Sequence, residues 1–241
     1  TPFDDTGLKC YWKYDGSSGD IENKSESSVD LGSGADLQTD GVTYDESGII
    51  DYAISFNGTD SKATAGTSTS QFNFCHVTDH EWTLNFWLYA NNQSGGKNIL
   101  GTNAISVGTS TGFQVGASTN NRLFISLCDG TASPRPINDN YSSNNFIGSN
   151  TWQMFTITFS DPEEEAIVYR DFDEATYTIN YETPSRTTGD ASYPLKQGEN
   201  AGSSDNNLAG RIDECSMFDR ILEQSEIEAL FNSGLAKAIY G

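Results

Sequence analysis

The chain has 241 residues, with 13 Lys and Arg against 34 Asp and Glu, for a formal charge of −21. That balance excludes nucleic acid as a partner, because phosphate binding needs clustered basic residues, and it excludes docking on an anionic membrane surface. Aromatic residues make up 12 % of the sequence, which a disordered acidic chain would lack, and no apolar run nears the roughly 20 residues of a membrane helix.

Apolar runs recur along the chain with Gly, Asn and Ser turns between them. Residues 8–14 and 52–56 predict strands. Residues 81–90 give the strongest signal: Trp82, Leu84, Phe86 and Leu88 share one face, while Trp87 and Tyr89 share the other. A strand apolar on both faces belongs in the middle of a sandwich. Shorter strands are predicted at 98–100, 104–107 and 112–115. Residues 122–128, 152–159, 165–170, 176–181 and 210–218 complete the set. Many short strands at fairly regular spacing indicate a sandwich or jelly roll. One helix is predicted near the end, with Ser225 as N-cap, Glu228 closing a capping box and Gly234 as C-cap. Two polar stretches, 129–150 and 182–207, are too long for hairpins and are predicted as long loops.

The chain opens at Thr1-Pro2-Phe3 without an initiator Met, which fits a processed protein or one module of a longer chain. Cys10, Cys75, Cys128 and Cys215 show no metal-binding spacing. Their even number permits two disulfides, but a chain of this size does not require them.

In family order, five segments carry a resemblance. They are Gly7–Asp15 followed by Ser18-Gly19-Asp20, then Ala53–Asp60, Trp82–Leu88, Asn150–Phe159 and Gly210–Leu222, the last followed by the helix and Asn232-Ser233-Gly234. Together they resemble laminin-G-like, concanavalin A-like jelly-roll domains over nearly the whole length. The resemblance implies an all-β fold: one two-sheet antiparallel jelly-roll sandwich over residues 1–241, with one short C-terminal helix. The sequence departs from the family at the two long loops and at Glu163-Glu164-Glu165. It reads Ala166–Phe172 where a hairpin with a Gly turn is the rule. The resemblance also makes the first and last long strands antiparallel neighbours. That would set Cys10 near Cys215, either bridged or packed as two buried thiols.

The same sandwich carries glycoside hydrolases and lyases, so catalysis has to be sought in the residues. The strand motif of laminarinase-type enzymes, E-x-D-x-(x)-E, is absent. Glu163-Glu164-Glu165 and Asp171-Phe172-Asp173-Glu174 read as solvated hairpin edges. His76 and His80 lie in a stretch without helical period or an intervening Glu, so they read as a loop without metal. No Gly-x-Ser-x-Gly elbow occurs.

Trp12, Trp87 and Trp152 match core positions of the resembling family. Tyr141 and Phe146 in the first long loop, and Tyr193 in the second, are candidate platforms for a sugar ring, with Arg135, Asn138, Asp139, Asn144 and Asn145 as partners for its hydroxyls. The plain alternative is a surface loop. Asn23, Asn57, Asn92 and Asn140 open N-glycosylation patterns, which an Asn- and Ser-rich chain also produces by chance.

The resemblance implies a structural calcium ion as cofactor, held by Asp213 with Asp15 and Gly58 in matching positions. The alternative is that Asp213 accepts hydrogen bonds from neighbouring backbone or from Arg211. The function expected is non-catalytic recognition outside a cell, on a cell surface or on a virion. The partner would be a glycan or surface polysaccharide, with no nucleic acid and no membrane insertion. An assembly domain contacting other protein modules or subunits is the second reading, and a hydrolase or lyase the third.

Overall fold

In the computed structural model, residues 3–91, 96–103, 110–130, 137–163, 165–175, 177–178, 189–232 and 238–239 are described; at 137–141 and 177–178 the description is of the backbone. The strands in chain order begin with β1 (Leu8–Trp12), β2 (Leu37–Asp40), β3 (Thr43–Ser47), β4 (Tyr52–Asn57) and β5 (Lys62–Ala65). Next come β6 (Glu81–Ala90), β7 (Lys97–Gly101), β8 (Thr111–Ser118), β9 (Arg122–Asp129), β10 (Ile137–Ser142) and β11 (Trp152–Ser160). The set closes with β12 (Glu165–Arg170), β13 (Asp173–Glu174), β14 (Tyr177–Thr178), β15 (Lys196–Gln197) and β16 (Ala209–Phe218), and helix α1 (Gln224–Phe231) follows. They form two antiparallel sheets. Sheet A runs β13-β12-β11-β6-β16-β4-β3, with β1 also paired to β16; sheet B runs β14-β10-β9-β8-β7-β15-β5-β2.

Strand alternation builds the core. Trp82, Phe86, Phe155 and Phe159 from sheet A face Phe113, Val115, Ile125 and Leu127 from sheet B, all nearly or fully buried. Trp82 bridges the layers, with its ring 5.5 Å from Phe113 and 5.8 Å from Phe159. The other face of sheet A carries Tyr11, Trp87, Met154 and Phe218, which pack under Leu222, Ile227 and Leu230 around α1. This explains why residues 81–90 are apolar on both sides.

Several expectations are corrected. The stretch 129–150 is not one loop, because β10 runs through it and pairs with β9 and β14. A hairpin forms at 166–175 without the Gly turn of the family: β12 pairs with β13 across Asp171, which holds a left-handed φ of 63°. Helix α1 starts two residues earlier than predicted. Glu223 is the N-cap, its N–H donating to the Glu226 carboxylate at 2.8 Å, and Glu226 also pairs with Arg220 at 2.6 Å. The C-cap is Asn232 in the left-handed region; Gly234 lies outside the described residues, as do 104–107.

All four cysteines are buried free thiols. Cys10 stands opposite Met217, and Cys215 stands opposite Trp12. The two are therefore diagonal neighbours, roughly 7–8 Å apart in such a ladder, which is too far for a bridge without backbone movement.

Candidate functional site

Sheet B presents its second face away from the core. Across six of its strands, Gln38, Thr64, Lys196, Gly101, Gln114 and Ser126 are successive register partners. Their chain neighbours Leu37, Ala63, Ala65, Phe113, Val115, Ile125 and Leu127 point into the core. The period of two therefore sets a polar row on the outer face. At the β2–β5 end of the row lies a groove of about 400 Å³, lined by Gln38, Asp40, Lys62, Thr64, Thr67 and Pro194.

A hydrogen-bonded network stiffens this face. The Gln114 side-chain amide donates to Asn98 Oδ1 at 2.5 Å, and the Asn98 amide donates to the Glu199 carbonyl at 2.7 Å. The Glu199 carboxylate is buried between two ammonium groups, 2.9 Å from Lys196 Nζ and 3.7 Å from Lys62 Nζ. Lys62 Nζ also lies 3.0 Å from Asp40, and that hydrogen bond, with Glu199 behind it, pushes its pKa up. Gln114, Asn98 and Glu199 are buried behind the groove, and the Gln38 amide, Thr64 hydroxyl, Asp40 carboxylate and Lys62 ammonium line it, which suits a ligand rich in hydroxyl groups.

The groove bears on catalysis as well. A retaining glycosidase needs two carboxyl groups close together, one of them protonated to act as general acid. Asp40 and Glu199 lie 3.0 and 3.7 Å from one Lys62 ammonium, so both carboxylates are engaged in ion pairs with it.

Of the residues singled out from sequence, Asn144, Asn145 and Phe146 line one small groove together, and Tyr193 lies apart from it. Tyr193 is half-buried next to Pro194, its N–H bonded to the Thr102 carbonyl at 3.1 Å, so it adjoins the groove on sheet B along the chain. Asn138, Asp139 and Tyr141 fall on β10, where Tyr141 is the register partner of Phe124 and Thr178. Four strand spacings separate β10 from β15, or about 19 Å. Arg135 lies outside the described residues. Phe146 is no open platform: it is 6 % exposed, with Phe155 at 5.8 Å and the Arg170 guanidinium at 5.1 Å from its ring. Gln38, Asp40, Lys62 and Thr64, which line the groove on sheet B, carry no motif and were not singled out.

The calcium set does not form. One extra residue in β16, between the pairs Asp213–Trp87 and Ser216–Asn85, makes a β-bulge, and Glu214 takes a φ of 49°. The bulge buries two adjacent carboxyls, Asp213 and Glu214. Asp213 Oδ2 accepts the N–H groups of Ile49 at 2.8 Å and Ile50 at 3.2 Å, and Oδ1 accepts that of Glu214 at 2.9 Å. Both oxygens are spent on backbone donors, as the alternative reading held. Gly58 is not the nearby glycine: it packs on Ala209, four residues before Asp213 on β16, whereas Gly48 lies against the Asp213 carboxylate. Asp15 stays within electrostatic reach but bonds the Tyr52 N–H at 3.2 Å. These residues do not fit calcium. Instead, burial and the adjacent Glu214 raise Asp213 to about 9. Burial raises Glu214 to about 7, although the Tyr11 hydroxyl donates to its carboxylate.

A family model described as the concanavalin A-like lectin/glucanases superfamily (Laminin_G_3) matches residues 57–228. No match was found among curated protein sequences. Among solved structures, the chain resembles the sialidase of Trypanosoma rangeli bound to the inhibitor DANA, with TM-score 0.66 and 15 % identity, covering 96 % of this chain and 34 % of that one. It also resembles the binding domain of Paraclostridial Mosquitocidal Protein 1, with TM-score 0.65 and 20 % identity, over 95 % and 52 % of the two chains. Domain 4 of AbnA, a GH43 extracellular arabinanase from Geobacillus stearothermophilus in complex with arabinotriose, gives TM-score 0.60 and 15 % identity, over 95 % and 98 %. The chain thus spans about a third of the sialidase and about half of the mosquitocidal binding domain. At these identities the likeness shows a shared fold.

Proposed function

The chain belongs to the concanavalin A-like lectin/glucanase superfamily, and on that premise we propose that it recognises a neutral glycan outside a cell without cleaving it. The observation that carries this reading is Lys62, which occupies the space between Asp40 and Glu199 on the outer face of sheet B. The groove keeps the polar equipment for hydroxyl groups, while its two carboxylates are taken up in ion pairs with Lys62 and Lys196. A charge of −21 disfavours acidic polysaccharides. A second reading, assembly through protein contacts, draws on Phe172, which is exposed on the β12–β13 turn and rests on Phe231 at 5.2 Å.

Because the arabinanase domain was solved with arabinotriose, arabino-oligosaccharides are the first probes, followed by gluco- and galacto-oligosaccharides. Calorimetry should show saturable binding. The double variant Gln38→Ala/Thr64→Ala removes two hydrogen-bonding groups worth about 0.5–1.5 kcal/mol each, so affinity should fall roughly 5- to 150-fold. Binding that is indifferent to this variant would remove the groove from the account.

A further inference from the structure

A second groove lies at the β13 edge of sheet A, between the β12–β13 hairpin and the β10–β11 connection. It has a volume of about 220 Å³ and is lined by Asn144, Asn145, Phe146, Arg170, Asp173 and Glu174. These come from two segments far apart in sequence, the β10–β11 connection and the β12–β13 hairpin. Both are pinned through their backbones. Asn145 and Ile147 donate to the Asn120 and Asn121 carbonyls at 2.8 and 2.9 Å, while Asp171 and Ala175 each donate at 2.7 Å, to Met154 and Val168. Asn145 and Asp171 hold left-handed backbones, with φ of 58° and 63°. The frame of the groove is therefore set before any ligand arrives, which lowers the ordering cost of binding.

The polar groups of this frame are left open. Arg170 lies over the Phe146 ring and gives one nitrogen, Nη1, to the Phe146 carbonyl at 3.1 Å. Its other nitrogens have no partner among the described residues. Asp173 is the register partner of Arg170, yet no ion pair joins them. Asn144, Asn145, Asp173 and Glu174 are exposed, and their side chains make no hydrogen bond among the described residues. A guanidinium and a carboxylate thus face one small groove without neutralising each other, with two carboxamides beside them. The carboxylates disfavour an anionic ligand and the guanidinium disfavours a cationic one. A neutral group with adjacent hydroxyls suits both: one hydroxyl donates to the carboxylate, and its neighbour accepts from the guanidinium. At about 220 Å³ the groove has roughly half the volume of the one on sheet B, which suits one sugar ring better than a chain.

We propose that this rim groove is a second subsite, taking a single neutral sugar unit through two adjacent free hydroxyls. The inference shares the glycan reading given above but does not need the groove on sheet B. The two grooves sit towards opposite edges of the sandwich, one at β2 and β5, the other at β13 and the end of β10. They would engage two separate points of one polysaccharide or two chains at once, so avidity would exceed either affinity.

The test is titration of isotope-labelled protein with methyl arabinoside, methyl galactoside and methyl glucoside, followed by amide NMR. The Asn144 and Asn145 side-chain amides should shift saturably in the wild type and in Gln38→Ala/Thr64→Ala. In Asp173→Ala the shifts should weaken at least tenfold, while the rest of the spectrum, unchanged, reports an intact fold. An O-methylated sugar lacking adjacent free hydroxyls should produce no rim shift. If the sheet B amides respond and the rim amides do not, the rim subsite is wrong and the first groove stands. If the rim amides respond and the sheet B amides do not, the first groove is wrong and the rim stands. Rim shifts that persist in Asp173→Ala, or that the O-methylated sugar reproduces, would overturn the assigned chemistry.

Discussion

Replacing Glu214 by Gln should change how stability depends on pH. Glu214 is 4 % exposed on the β16 bulge, where burial lifts its pKa from 4.5 to about 7. Below pH 4.5 the carboxyl is protonated in folded and unfolded chains alike. Between 4.5 and 7 the unfolded chain loses the proton while the folded chain keeps it. The unfolded state then binds fewer protons, so stability falls as pH rises through this window. The difference of about 2.5 pKa units, at 1.36 kcal/mol each, amounts to about 3 kcal/mol. For a chain of this length that is roughly 6–12 °C in Tm. Asp213, raised to about 9, extends the decline towards more alkaline pH, and the two adjacent carboxyls titrate as a pair.

Gln keeps the size of Glu and the acceptor for the Tyr11 hydroxyl, but it has no charge to bury. The Tm of Glu214→Gln minus that of wild type should therefore rise by about 6–12 °C between pH 4.5 and 8. General repulsion among the acidic residues is nearly the same in both proteins and cancels in the difference. Melting curves followed by circular dichroism at half-unit pH steps give the answer. A difference that stays flat across the window would refute the argument, as would a wild-type Tm that climbs with pH.

Three other outcomes follow from the packing. Gly198→Ala should destabilise by about 1–3 kcal/mol in urea titrations, because its Cβ would clash with the Phe56 ring at a φ of +80°. Ellman's reagent should find almost no reactive thiol in the folded protein and four after denaturation, with or without reductant, since all four cysteines are buried and unbridged. Calcium and EDTA should leave the melting curve in place, because backbone N–H groups occupy both Asp213 oxygens; a calcium-dependent rise in Tm that Asp213→Ala removes would reinstate the metal.

The central strands were legible because their side chains meet apolar layers on both faces. Glu81–Ala90 and Trp152–Ser160 stand where the alternation placed them. The edges were not legible. Thr43–Ser47 and Asp173–Glu174 are polar strands at the two ends of sheet A, and charged residues there protect an open edge while hiding it from a hydrophobic pattern. Ile137–Ser142, rich in Asn and Asp, read as loop and is held as strand by β9 and β14. The β16 bulge gave no warning, since a Glu and not a Gly takes its left-handed backbone. The groove is the extreme case. Gln38 and Thr64 are ordinary residues 26 positions apart until β2 pairs with β5. Tyr193 stands out in the sequence because it lies in a long polar stretch; Lys62, on which the proposal rests the choice between binding and cleavage, lies in a short strand with no such signal.

Prolonged incubation with polysaccharide at high protein concentration tests that decision most directly. Arabinan, β-glucan and galactan, each first shown to bind, should release no reducing ends and no unsaturated products above the protein-free control. Steady turnover that disappears in Asp40→Asn or Glu199→Gln would contradict the account, because it would mean that the carboxyls on either side of Lys62 act as an acid and its partner.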